Sequence, residues 1–162
     1  VAHILVPTGL VVGAWLLPGE VSVPALSVLF TAALAFGAAD TFASEFGVLA
    51  GAARSILTAR PVAPGTNGGV SALGELWALA GALTTAIVSV GLLVGFRVPY
   101  GSPGILLAVA SSAGFLGCQL DSVLGELLEN RGLLTKGSTN LLAMFGAVVI
   151  AGGLLAGFGG WG

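Results

Sequence analysis

AADTFASEFG (38–47) sets Asp40 and Glu45 inside an apolar run, and QLDSVLGELLEN (119–130) repeats the anomaly with Asp121, Glu126 and Glu129. What surrounds these acids decides the fold. Of 162 residues, 56% are apolar and 7% charged, with 27 glycines. A soluble domain carries about 25% charged residues. The chain therefore reads as an all-α, polytopic transmembrane bundle of five to six helices. A carboxylate in hydrocarbon costs several kcal/mol or surrenders its charge, so intramembrane acids point to function by default.

A membrane-spanning helix needs about 20 mostly apolar residues. Five segments qualify as candidates, over roughly 2–17, 23–53, 69–96, 104–129 and 139–159. Clusters rich in Pro and Gly separate them: LPGEVSVP (17–24), RPVAPGTNGG (60–69) and RVPYGSPG (97–104), with ENRGLLTKGSTN (129–140) as the last break. Together they form a single transmembrane domain spanning 1–162. The net charge of −2 and the lack of a basic tail argue against a nucleic-acid partner. Cys118, the one cysteine, has no intrachain partner and reads as a small packing residue. The start of the chain has no basic leader pattern, which predicts no signal peptide.

Arg54 and Arg60 fall after the second segment, and Arg131 and Lys136 after the fourth. Two spans separate these loops, so they share a side. The positive-inside rule assigns that side to the cytoplasm. Gly47 and Gly51, Gly91 and Gly95, and Gly153 and Gly157 have the four-residue spacing that lets membrane helices approach closely.

The two acidic stretches rhyme. Asp40-Thr41 with Glu45 becomes Asp121-Ser122 with Glu126, 81 residues later. Each is followed by basic residues and then by GTNGG (65–69) or GSTN (137–140). This pattern predicts a parallel internal repeat with halves at roughly 23–96 and 104–159. Measured from Pro24 and Gly104 at about 1.5 Å per residue, Asp40 and Asp121 lie about 24 and 25 Å along their helices. Both then reach one level near the cytoplasmic boundary, with Glu75 close by. At about 100° per residue each helix carries one polar stripe.

Hard oxygen ligands at one level suit Mg²⁺. The expected metal ligands are Asp40, Glu45, Asp121 and Glu126, with Asp40 and Asp121 as the catalytic pair. Helix N-termini and glycine-rich backbone attract anions. Arg60, Gly65, Thr66, Asn67, Gly68, Lys136, Ser138, Thr139 and Asn140 are therefore expected to hold phosphate. Thr66 or Asn67 would cap the third segment, and Ser138, Thr139 or Asn140 the fifth. The plain alternatives are ordinary caps, topology anchors for Arg54 and Arg131, and a solvated Glu129. PGTNGGVS lacks the Lys of a Walker loop, and one His with one Cys makes no zinc site.

At ADTFASE (39–45), RPVAPGTNGGVSALG (60–74) and GFLGCQLDSVLGELLE (114–129) the chain resembles an integral membrane family long labelled a domain of unknown function. That family includes plant phytyl-phosphate kinases and an animal transmembrane protein group. The resemblance covers roughly 25–145, with Phe42 where Trp is common. It implies conversion of an isoprenoid (phytyl or prenyl) monophosphate to its diphosphate, with CTP or another nucleoside triphosphate as co-substrate. The alternatives are an ion or phosphate transporter and a CTP-dependent nucleotidyl transferase acting on a lipid phosphate. The expected partners are the bilayer, an isoprenoid phosphate and a nucleotide, with a homodimer left open.

Overall fold

The computed structural model of the chain describes residues 2–16, 19 and 22–159. It contains five α-helices: α1 (Ala2–Leu16), α2 (Val23–Gly47), α3 (Ala72–Gly95), α4 (Pro103–Leu124) and α5 (Lys136–Gly157). A short 3₁₀ turn, Val48–Ala50, extends α2, and a π-helical turn, Gly125–Glu129, extends α4. Four of the five segments are long and apolar enough to cross a membrane. At 15 residues α1 is about 22 Å long, short of a hydrocarbon core of about 30 Å. Leu17, the expected end of that segment, lies outside the described residues.

Hydroxyl caps set the helix starts, and they correct the expected ones. Ser22, Ser71 and Ser102 accept hydrogen bonds from the amides of Ala25, Gly74 and Ile105. Thr135 and Ser138 form a reciprocal capping box that opens α5 at Lys136. Thr66 and Asn67 therefore do not cap α3, and Thr139 and Asn140 lie inside α5. Pro at the first turn of α2 and α4 fits a position whose amide has no helical partner.

Alanine and glycine carry the packing. Ala32, Ala33, Ala35, Ala39, Ala110, Ala113, Ala143 and Ala147 are fully buried around Phe36, Leu106 and Met144. Lipid tails are as apolar as leucine, so close backbone approach supplies the attraction between helices. A Cβ added to Gly114 would come within 2.7 Å of the Ala35 Cβ, and one on Gly117 within 2.6 Å of the Ala147 Cβ. These two glycines seat α4 against α2 and α5. Of the expected glycine pairs only Gly47 touches a neighbour helix, at Gly74; around Gly51, Gly91, Gly95, Gly153 and Gly157 there is open space. Aliphatic side chains on α3, such as Leu76, Leu83, Ile87 and Leu92, face outward as a lipid-contacting helix requires.

The 48–71 connection is not the open loop its Pro and Gly content predicts. It forms a three-stranded antiparallel sheet of β1 (Ala53–Ser55), β2 (Pro61–Val62) and β3 (Gly69–Val70), in the order β2-β1-β3. Arg54 pairs with Pro61 on one side and Val70 on the other. This sheet sits on the end of α4, so the α2–α3 and α4–α5 connections share one side of the bundle, as the charge pattern requires.

Candidate functional site

A cavity of about 260 Å³ opens between the C-terminal ends of α2 and α4 and the start of α3, beside the first residue of α5. Asp40, Ser44 and Gly47 line it from α2, Gly74 and Glu75 from α3, and Cys118, Asp121 and Ser122 from α4. Residues 64–71 close it from the connecting loop, and Lys136 borders it from α5. Asp40 and Asp121 thus stand at one level, about 26 and 27 Å along helices that run in the same direction.

Each acid has a different partner. Lys136 Nζ donates to Asp121 Oδ2 at 2.8 Å. Asn140 Nδ2 donates to Asp40 Oδ2 at 3.0 Å, across 100 residues of chain. Lys136 and Asn140 are one helical turn apart, so a single face of α5 serves both aspartates. Gln119 Nε2 donates to Glu75 Oε2 at 2.8 Å. The Asp121 side chain is only 6% exposed, and its Oδ1 has no hydrogen-bond partner. Asn140 Oδ1 and Glu129 Oε2 are also buried without partners. Three carboxylates and one ammonium line the cavity, so its described wall carries an excess of negative charge.

The expected site divides here. Asp40, Asp121, Gly65, Thr66, Asn67, Gly68 and Lys136 meet at the cavity, and Asn140 reaches it through Asp40. Glu126 instead turns to the sheet, accepting from Ser55 Oγ at 2.6 Å and from the Leu57 amide at 3.4 Å. Five residues beyond Asp121, Glu126 stands about 140° around the helix from it, as Glu45 does from Asp40, so neither shares its aspartate's face. Beyond Glu126 the π turn, closed by Asn130 N donating to Gly125 O at 3.1 Å, breaks the 100° phase of a regular helix. Glu129 follows Glu126 toward the loop and accepts from Asn67 Nδ2 at 2.9 Å. Glu45 is exposed and does not line the cavity. The six residues 130–135 are too short a connection to cover it as residues 48–71 cover Glu126.

Arg60 is exposed, away from the cavity lining. The hydroxyls of Ser138 and Thr139 both donate to the Thr135 carbonyl, so they serve the start of α5. Among the described residues no three His, Cys, Asp or Glu side chains form a ready metal cage, so the four-acid set is not gathered. Gln119 was not anticipated; an amide on an apolar helix has no sequence signature until its partner is known.

Residues 1–148 match the sequence profile of a family described as integral membrane protein DUF92. An uncharacterized membrane protein of Methanocaldococcus jannaschii is 32% identical over 127 residues, covering 78% of this chain and 48% of the relative. Protein PGR of Arabidopsis thaliana is 39% identical over 98 residues, covering 57% of this chain and 34% of the relative. The chain thus spans half or less of the length of these relatives. No solved structure matches it.

Proposed function

Because the chain belongs to the DUF92 integral membrane protein family, and its helices carry acids to a common cavity, we propose that it is a lipid-phosphate phosphotransferase with its site on the cytoplasmic side. The substrate in this reading is an isoprenoid monophosphate, which becomes the diphosphate at the expense of a nucleoside triphosphate such as CTP. The observation that carries the reading is the meeting of Asp40 and Asp121, from two parallel membrane helices, under a glycine-rich loop at one end of the bundle. An isoprenoid phosphate has the matching shape, with a tail for the bilayer and an anionic head at that depth.

The residues fit Mg²⁺ in the form that phosphoryl transfer uses. That ion is commonly held by one or two carboxylates, with water and substrate phosphate completing the shell. The partnerless, buried Asp121 Oδ1 and the neighbouring Asp40 carboxylate supply such a pair. Bound there, the cation would neutralise charge on the transferring phosphoryl group.

The chain's own part is positioning and charge placement. Asn140 fixes the Asp40 carboxylate through one oxygen and leaves the other available. At Gly65, Gly68 and Gly69 no side chain keeps a phosphate from the backbone, and Thr66 and Asn67 between them add polar groups. Lys136 provides a cation at the rim. No dedicated base is needed, because the accepting oxygen belongs to a phosphate already ionised near neutral pH. That oxygen bonds to the terminal phosphorus of the nucleotide, the bridging P–O bond breaks, and the nucleoside diphosphate leaves with its electrons.

Purified protein incubated with Mg²⁺, CTP or ATP and a prenyl phosphate should yield prenyl diphosphate and nucleoside diphosphate. Pyrophosphate release would mark a nucleotidyl transferase instead. Nucleotide-independent flux in liposomes would mark a transporter. Equal turnover by wild type and Asp40→Asn would sink the assigned site.

A further inference from the structure

We propose that Lys136 is a resting counter-ion, held on Asp121 until a divalent cation takes that carboxylate, and then released to the anionic ligand. The identity of the anion as a phosphate rests on the phosphotransferase reading; the exchange itself does not.

Two independent observations support a ligand here. The first is the pairing itself: the ammonium of a lysine side chain that is 55% accessible reaches down to the carboxylate of an aspartate side chain that is 6% accessible. The second is the other oxygen of that carboxylate, which is buried and accepts nothing, on a residue that lines the cavity. A buried carboxylate needs compensation, and the lysine supplies it through one oxygen only. A cation arriving at Oδ1 would meet the ammonium at the same carboxylate. Like charges at such separation repel strongly where the effective dielectric is low. One of them must leave, and only Lys136 has a flexible stem and an open side toward which to swing.

The partner of Asp40 sharpens the point. Asn140, one turn further along α5, is neutral and can remain in place when a cation binds. The α5 face therefore presents one removable and one permanent donor. Lys136 is also the one basic residue lining the cavity among the described residues. Released, it becomes a positive group facing the glycine-rich loop, where an anion would bind. Cation and anion binding then assist each other, and linkage requires the assistance to be reciprocal.

Lys136 is the single lysine of this sequence, so its amine can be followed directly. Wild-type protein in nanodiscs is treated with an amine-acylating reagent, and modification at Lys136 is located by mass spectrometry. Millimolar Mg²⁺ should raise the acylation rate by about 5-fold or more, and added pyrophosphate should lower it again. In parallel, Mn²⁺ binding is read by electron paramagnetic resonance without nucleotide or lipid. Lys136→Gln should bind Mn²⁺ about 5-fold more tightly than wild type and lose the tightening that pyrophosphate confers. Asp121→Asn should lose the site. An acylation rate indifferent to Mg²⁺, or Mn²⁺ binding unchanged or weakened in Lys136→Gln, overturns the exchange. The labelling arm needs no variant to fold. If exchange occurs and no prenyl phosphate is phosphorylated, the phosphotransferase reading fails while this one stands.

Discussion

Ser55 Oγ donates to Glu126 Oε1 across 2.6 Å, tying the middle strand of the small sheet to the π turn of α4. Ser55 is itself buried and accepts from the Thr58 amide and hydroxyl, so the contact organises a whole turn. Replacing Glu126 by Ala leaves the Ser55 hydroxyl and the Leu57 amide without their acceptor, a local cost of about 1–3 kcal/mol. Amides in β1 and β3 should then exchange hydrogen at least about 10-fold faster, while α2 and α4 keep their protection. Unchanged exchange over 53–70 would show that the sheet holds without this tie.

Gly68 has a φ of 78° and lies against the Glu126 side chain, with the Ser122 carbonyl 3.0 Å from where a Cβ would stand. Gly68→Ala must move the loop off the π turn or strain its backbone. Turnover with a prenyl phosphate should fall by about 10-fold or more, because a displacement of about 1 Å at a positioned group costs about 100-fold. Gly65→Ala, near only the Val48 side chain at 3.8 Å, strains the φ of 82° without that collision, and its turnover should fall less.

Asp40→Asn and Asp121→Asn should each lower turnover by about 100-fold or more, the scale of losing one electrostatic group aimed at a transition state. Glu45→Gln should stay within about 2-fold of wild type, since an exposed surface group away from the cavity contributes little. Steady-state kinetics on the three variants, each checked for folding by gel filtration, would decide the matter. A Glu45→Gln defect equal to that of Asp40→Asn would restore the symmetric acid set.

Gly114→Val places two methyl groups where Ala35 and Phe36 already stand. Overpacking of this kind costs about 1–3 kcal/mol. Gly153→Ala meets nothing within 4 Å and should be neutral. Thermal unfolding in detergent micelles should separate the two; equal midpoints would mean that α2 and α4 do not approach as closely as described.

Much of this architecture was legible before any coordinates, because hydrocarbon imposes simple rules. Length and apolarity place α2 to α5, and equal spacing from the helix starts brings Asp40 and Asp121 to one level. The arginines and Lys136 correctly put the α2–α3 and α4–α5 connections on the same side. What escaped was set by contacts distant in sequence. Strands of two or three residues among Pro and Gly have no periodicity to detect, and only the anchor on α4 makes them a sheet. The π turn hides in GELLE (125–129), which reads as regular helix, so the facing of Glu129 does not follow from 100° per residue. Lys136 was visible as a cation, but its pairing with Asp121 depends on where Thr135 starts α5. Seductive glycine spacing also misled: Gly114 and Gly117, three apart, make the close contacts, while the four-residue pairs mostly face open space.

The unequal connections have one more effect. Two helices with the same acidic signature are dressed differently, one overhung by a folded flap and the other finished by a bare bend of six residues. A molecule entering between them meets a roof on one side and an open threshold on the other. The cavity thereby acquires a front and a back, although the two acidic helices that flank it begin alike.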